Sequence, residues 1–167
     1  MIGIVATDCE GGIGKNGGIP WKLPEDLKRF RRLTTDCKDP DKRNVVIMGR
    51  KTWMSINKQL PNRINIVLSK TLKNKCGITF LANCKDEVVE YLRLNKYKIN
   101  KVFVIGGKGI YDLFYNYINT FELTVLKGVY KCDTKIELRT IYSDFEIIKV
   151  NPEEEYVNLT LKKRRLR

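Results

Sequence analysis

The chain has 167 residues, 43% apolar and 31% charged, enough to bury one full core and too apolar for a disordered polymer. It contains no histidine, which excludes His-based triads, His–metal sites and imidazole acid–base chemistry. A net charge of +13 suggests a polyanionic partner, but its scatter over the whole length without interleaved aromatics reads better as an evenly solvated basic surface, with a small anion expected only at particular positions.

Alternating strand and helix signals predict an α/β fold of three layers, with flanking helices around a mostly parallel sheet of about eight strands. All 167 residues read as one domain, without repeats or linkers. Residues 1–7 form an apolar run and so a buried strand. Residues 8–23 are rich in glycine and must be a long loop, of the length that tends to be functional. A helix follows from Pro24, whose missing N–H costs little in a first turn. At about 100° per residue, Asp26, Leu27, Phe30, Leu33 and Thr34 share one face, and Lys28, Arg29, Arg31 and Arg32 the other. Asp26 thus places a carboxylate in the inward stripe, a candidate proton-handling group. The plainer alternative is an acid complementing the helix dipole.

Further along, residues 45–48 are a buried strand, 50–57 a short helix, 64–68 a strand and 78–81 a weaker one. The helix at 85–95 turns Val88, Val89 and Leu92 inward. Residues 101–105 are a strand, after which Gly106-Gly107 opens a helix ending near 116; 121–126 is a further strand. Residues 145–150 and 156–161 alternate apolar with polar, as an antiparallel hairpin at the sheet edge does. The basic run at 162–167 reads as a frayed, solvated end rather than a nucleic-acid patch. The five cysteines (Cys9, Cys37, Cys76, Cys84, Cys132) include no C-x-x-C pair, which predicts reduced thiols in a cytoplasmic protein and no metal site. No stretch approaches a membrane span, and the N-terminus lacks a signal-peptide pattern.

Two strand-to-helix junctions suit phosphates. Gly49-Arg50-Lys51-Thr52 brings two cations and a hydroxyl to a helix start, and Gly106-Gly107-Lys108-Gly109 offers bare backbone. Each alone is weak, since glycines at a strand end also make plain tight turns. Two at carboxyl ends of strands in one sheet favour a dinucleotide. Leu68-Ser69-Lys70, past another strand, adds a hydroxyl and an ammonium that suit a 2′-phosphate. In the glycine loop, Ile19 and Trp21 provide apolar surface that could close over a ligand. Trp21 and Asp26 bracket Pro24, so the indole N–H is expected near the carboxylate, directly or through water.

Taken together, Ile4-Val5-Ala6, Gly12-Ile13-Gly14-Lys15-Asn16-Gly17, Ile19-Pro20-Trp21, Leu23-Pro24-Glu25-Asp26, residues 46–53, Leu60-Pro61-Asn62-Arg63, Val104-Ile105-Gly106-Gly107 and Leu123-Thr124 resemble the dihydrofolate reductase family, in its order and spacing. The resemblance runs to about residue 163 and is closest to eukaryotic or viral members, although Asp rather than Glu at position 26 is the commoner bacterial choice. It implies hydride transfer from NADPH to C6 of a dihydropterin, with protonation of N5. Asp26 would hold the ring's amidine edge by a charge-assisted two-point contact, supported by Thr124 and Trp21. Ile4, Val5, Leu27, Ile105 and Tyr111 would line the pterin site, and Phe30, Ile56 and Leu60 the benzoyl ring. Arg63, steadied by Thr34, would clamp the glutamate carboxylate.

By the same resemblance Ala6 and Ile13 would meet the nicotinamide, beside Gly14 and Lys15. Gly49, Arg50, Lys51, Thr52, Leu68, Ser69, Lys70, Gly106, Gly107, Lys108, Gly109 and Ile110 would hold the rest of NADPH. Gly106-Gly107 matches a cis peptide, and the glycine loop a mobile lid. Lys108-Gly109 lacks the arginine that some members place near the 2′-phosphate, so Lys70 or Arg50 must serve. Lys135-Ile136-Glu137 replaces the usual Phe-Pro after Cys132-Asp133-Thr134, and the last hairpin is short; both bear on lid behaviour. The implied partners are dihydrofolate and antifolates, without membrane and with nucleic acid disfavoured, in a monomer unless the chain is part of a thymidylate synthase fusion. A same-fold reductase of a riboflavin-pathway pyrimidine, and a basic RNA-binding or non-catalytic relative, are the alternatives.

Overall fold

The computed structural model describes residues 1–73 and 76–165. Val45, Val46, Ile47 and Met48 have no exposed surface, because the strand that carries them is covered on both faces. That strand, β3 (Arg43–Gly49), lies near the middle of an eight-stranded sheet. Its other members are β1 (Ile2–Thr7), β4 (Arg63–Leu68), β5 (Phe80–Ala82), β6 (Ile99–Gly106), β7 (Thr120–Leu126), β9 (Phe145–Pro152) and β10 (Tyr156–Lys163). The order is β5-β4-β3-β6-β1-β7-β10-β9. Pairings are parallel from β5 to β7, while β10 runs antiparallel to β7 and β9. The mixed sheet, the three layers and the edge hairpin match the sequence reading.

Helix α1 (Pro24–Thr35) and α2 (Arg50–Ile56) cover one face, where Phe30, Leu33 and Trp53 pack on Ile4, Val46, Met48, Val67 and Phe103. The other face is covered by α3 (Lys85–Leu94), α4 (Lys108–Phe114) and α5 (Leu138–Asp144), through Val88, Ile110, Phe114 and Ile141. Each such side chain, fully buried, contributes about 1.5–3 kcal/mol.

Several local expectations need correction. The loop at 8–23 is not wholly irregular: β2 (Gly12–Gly14) pairs antiparallel with β8 (Thr134–Lys135) in a separate ribbon. Neither that ribbon nor α5 was foreseen, because two- and three-residue strands and a helix of about two turns leave too short a pattern to read. Arg29 does not belong to the solvated face of α1; its side chain is 13% exposed and paired with Glu122. Leu27, expected inward, is 65% exposed, since the first turn of α1 overhangs open space instead of core. The basic end is not frayed through Arg164: Lys162 and Lys163 belong to β10, and the Arg164 N–H donates to Asp144 O at 2.9 Å. Residues 166–167 of that run lie outside the described residues.

Candidate functional site

Helix α1 is held at both ends. Asn44 on β3 donates its amide N–H groups to Thr34 O and Asp36 O, each at 3.0 Å, which fixes the last turn. At the first turn, Asp26 is half-buried and its Oδ1 lies 2.5 Å from Thr124 Oγ1 on β7. One turn later, Arg29 reaches Glu122 on the same strand at 2.5 Å, and Glu122 also accepts from Thr160 Oγ1 at 3.0 Å. Removing one partner from a pair this buried would strand a charge, at a cost of about 3–5 kcal/mol.

At the far end of α1, Thr34 Oγ1 donates to Phe30 O at 2.8 Å and accepts from Arg63 at 2.8 Å. Arg63 is only 6% exposed, and its Nε–H donates to Pro61 O. Burial, and then the neighbouring charge of Arg31, pull its guanidinium below the ordinary arginine value. Among the described residues no carboxylate pairs with it. Asn65 braces the approach to Arg63 by exchanging hydrogen bonds with Leu60, at 3.0 Å and 2.9 Å. Phe30, Ile56, Leu60 and Ile105 pack around the cluster that contains Ile4. The eight steps from Asp26 to Thr34 rise about 12 Å along the helix. A carboxylate therefore stands at one end of an apolar wall and a buried, unpaired cation at the other.

Tyr111 is buried against β1. Its hydroxyl donates to Ile4 O at 2.7 Å, and burial pushes its phenol well above the ordinary tyrosine value. The ring leaves no room at Gly106, where a Cβ would come within 2.9 Å of it and where φ is +106°. Val5 is buried in the opposite layer, and Trp21 packs edge-on against Tyr130 with centroids 5.2 Å apart. Among the described residues no direct hydrogen bond joins Trp21 to Asp26, which leaves the water-mediated form of that expectation.

The two glycine junctions are neighbours. Met48 pairs with Gly106 across β3 and β6, and a Cβ on Gly107 would stand 3.8 Å from Thr52 Oγ1. The Gly106–Gly107 peptide is cis, as the resemblance implies. Gly49 and Gly107 precede α2 and α4 without a side-chain cap, and Ile110 sits buried in the first turn of α4. Lys51 and Lys70 are exposed; Lys108 is tied to Asp112 at 2.5 Å, and Arg50 lies along Met54, 3.4 Å from its sulfur. Ser69 Oγ follows Leu68, the last residue of β4, and accepts from the N–H of Thr71 and Leu72, which shapes that turn. Ala6 is the penultimate residue of β1, while Ile13, Gly14 and Lys15 lie on or beside β2.

Asp8 was missed by the sequence reading. It is fully buried and accepts N–H donations from Gly12 at 2.8 Å, Glu10 at 3.0 Å and Tyr130 at 3.1 Å. Burial pushes its carboxyl up, but the backbone donors and Lys135 outweigh that and hold it below the usual range. A Cβ on Gly12 would come within 2.7 Å of the Asp8 carboxylate, so glycine there is a packing requirement. Glu122 and Asn158 were missed as well, although polar residues at every second position of adjoining strands (Glu122 and Thr124, Asn158 and Thr160) are a legible signal.

The dihydrofolate reductase family model matches residues 1–163. The chain belongs to the dihydrofolate reductase family. It is 36% identical to a dihydrofolate reductase of Saccharomyces cerevisiae over 78% of this chain and 67% of that one. A dihydrofolate reductase of Rattus norvegicus is 38% identical over 90% of this chain and 83% of its own length. A bifunctional dihydrofolate reductase-thymidylate synthase of Zea mays is 35% identical over 93% of this chain, which spans 33% of that longer protein.

Proposed function

We propose that the protein reduces 7,8-dihydrofolate to 5,6,7,8-tetrahydrofolate, with NADPH as hydride donor, as one cytoplasmic domain over residues 1–167. The observation that carries the substrate is Arg63, a buried guanidinium without a carboxylate partner among the described residues, across an apolar wall from Asp26. A ligand with a hydrogen-bond-donating amidine at one end, an aromatic middle and a carboxylate at the other complements that sequence of groups. Asp26 binds the amidine edge and favours the protonated form of N5, the proton coming from water. Phe30, Ile56 and Leu60 exclude water from the aromatic middle, and exposed Leu27 overhangs the open cleft where the pterin would lie. Thr34 fixes the guanidinium of Arg63, whose planar fork suits a carboxylate.

The cofactor reading is supported by the adjoining glycine junctions and by the cations and hydroxyls around them. Arg50, Lys51, Thr52, Ser69, Lys70 and the turn at 107–110 would hold its phosphates, with Ala6 and Ile13 at the nicotinamide. The cofactor, when bound, supplies the hydride. In the family, the maize relative's name describes a fusion with thymidylate synthase; outside such an arrangement we read this chain as a monomer.

The test is dihydrofolate-dependent NADPH oxidation by the purified protein beside Asp26→Asn. Turnover by the wild type, with a fall of at least about a hundredfold at neutral pH in the variant and retained NADPH binding, is expected. NADPH binding without dihydrofolate turnover in the wild type would redirect the reading to a pyrimidine substrate.

A further inference from the structure

The hydroxyl of Thr124 faces two acceptors and has one proton. Its Oγ1 lies 2.5 Å from Asp26 Oδ1 and 2.8 Å from the amide end of Asn158 assigned as Oδ1. Thr124 is 1% exposed and Asn158 8%, so neither contact is readily replaced by solvent. A hydroxyl can donate once and accept elsewhere. When Asp26 is ionised, Thr124 must donate to it, and Asn158 must then present its N–H₂ to Thr124. When Asp26 is protonated, Asp26 donates to Thr124, and Thr124 donates onward to the amide oxygen. The two arrangements differ by a half-turn of the Asn158 amide about a broad, roughly two-fold torsion. Among side chains of this size, a carboxylate would serve only the neutral form of Asp26, and an apolar group neither form.

Nothing else occupies that amide. Among the described residues, Thr124 is the only partner of the Asn158 side chain, and the two residues are direct cross-strand partners on β7 and β10. The next pair along the same face, Glu122 with Thr160, holds Arg29 one helical turn from Asp26, so α1 cannot roll away from the pair. We propose that Asn158 is a positioning residue of the reduction: it sets the direction of the Thr124 proton and follows Asp26 between its charged and neutral forms. The inference rests on the reductase reading for its kinetic consequence, though not for its chemistry. The charged and titratable groups on the elements packed against Asp26 include Glu25 and Arg29 on α1, Glu122 on β7, Tyr156 on β10 and Glu153 before it; among the described residues none of them bonds to the Asn158 side chain.

The experiment compares Asn158→Leu, Asn158→Asp and Asn158→Ser in the full chain, by single-turnover hydride transfer as a function of pH, by NADPH affinity and by melting temperature. The midpoint of the pH–rate profile is expected to move upward in the Asp variant, by about one pH unit, because a second carboxylate opposes the ionised form of Asp26. The Leu variant should lose roughly tenfold in rate with NADPH affinity unchanged, and the Ser variant, which can donate and accept, should recover most of that loss. Lowered melting temperatures with superimposable pH–rate profiles in all three variants would overturn the inference. Titration of the Asp26 carboxyl by ¹³C NMR in the free protein, assigned with Asp26→Asn, separates the two readings. A midpoint unmoved by Asn158→Asp overturns the inference whatever the substrate; failure of the wild type to turn over dihydrofolate overturns the reductase reading, and the titration alone then decides the inference.

Discussion

Arg63 carries its charge into the interior and, among the described residues, bonds there only to neutral partners, Thr34 Oγ1 and Pro61 O. A buried cation without a counter-ion is costly, and a ligand carboxylate offsets that cost on binding. Arg63→Leu should therefore weaken binding of a folate by about 2–3 kcal/mol, roughly 30- to 160-fold in Kd, with Arg63→Lys in between because an ammonium lacks the planar fork. Equilibrium fluorescence titration checks this, and an unchanged Kd would remove Arg63 from the site. At this scale the sequence was legible where chemistry is tied to a motif: Asp26, Thr124, Thr34 and Arg63 stand as two hydrogen-bonded pairs at opposite ends of α1. It was not legible where a role depends on pairing across the chain. Arg29 looks like any surface cation until β7 brings Glu122 to it, and the contact joins residues 93 positions apart. Nor does the sequence show that the Tyr111 hydroxyl bears on the backbone of Ile4, 107 positions away.

The glycine loop makes the same point for elements. Its composition shows that residues 8–23 cannot be a helix or a long strand, but the anchor is a single carboxylate that holds both the turn at Gly12 and the distant Tyr130 backbone. Asp8→Asn keeps the shape, yet turns one acceptor into a donor facing a backbone N–H, and should destabilise the protein by about 1–3 kcal/mol. Because the folded-state pKa of Asp8 lies below its unfolded value, its contribution is fully present above the unfolded pKa of about 3.9 and is lost as pH falls through the folded value. The stability gap between wild type and Asp8→Asn, measured by denaturant unfolding, should be constant near neutrality and close in acid. A gap that widened toward low pH would contradict the assigned role. The long apolar strands β1, β3, β4, β6 and β7 were all readable from composition. The β2–β8 ribbon was not, since its pairing is set by tertiary contacts and not by local pattern.

Across the whole molecule, the sheet sets one half-buried carboxylate and one buried guanidinium on the α1 side, and brings two glycine junctions side by side at the carboxyl ends of β3 and β6. That placement at strand ends follows the general rule for open α/β sheets, which is why the fold class and a ligand expectation could be read together from the sequence. The scattered positive charge adds attraction for anionic ligands without specifying them. The central claim is that hydride passes from the cofactor to the pterin on this framework. The most direct measurement is mass analysis of the folate product after incubation with dihydrofolate and NADPH deuterated at the transferring position of nicotinamide C4. Tetrahydrofolate heavier by one deuterium is the expected result, whereas dihydrofolate recovered unlabelled and unreduced would contradict the account.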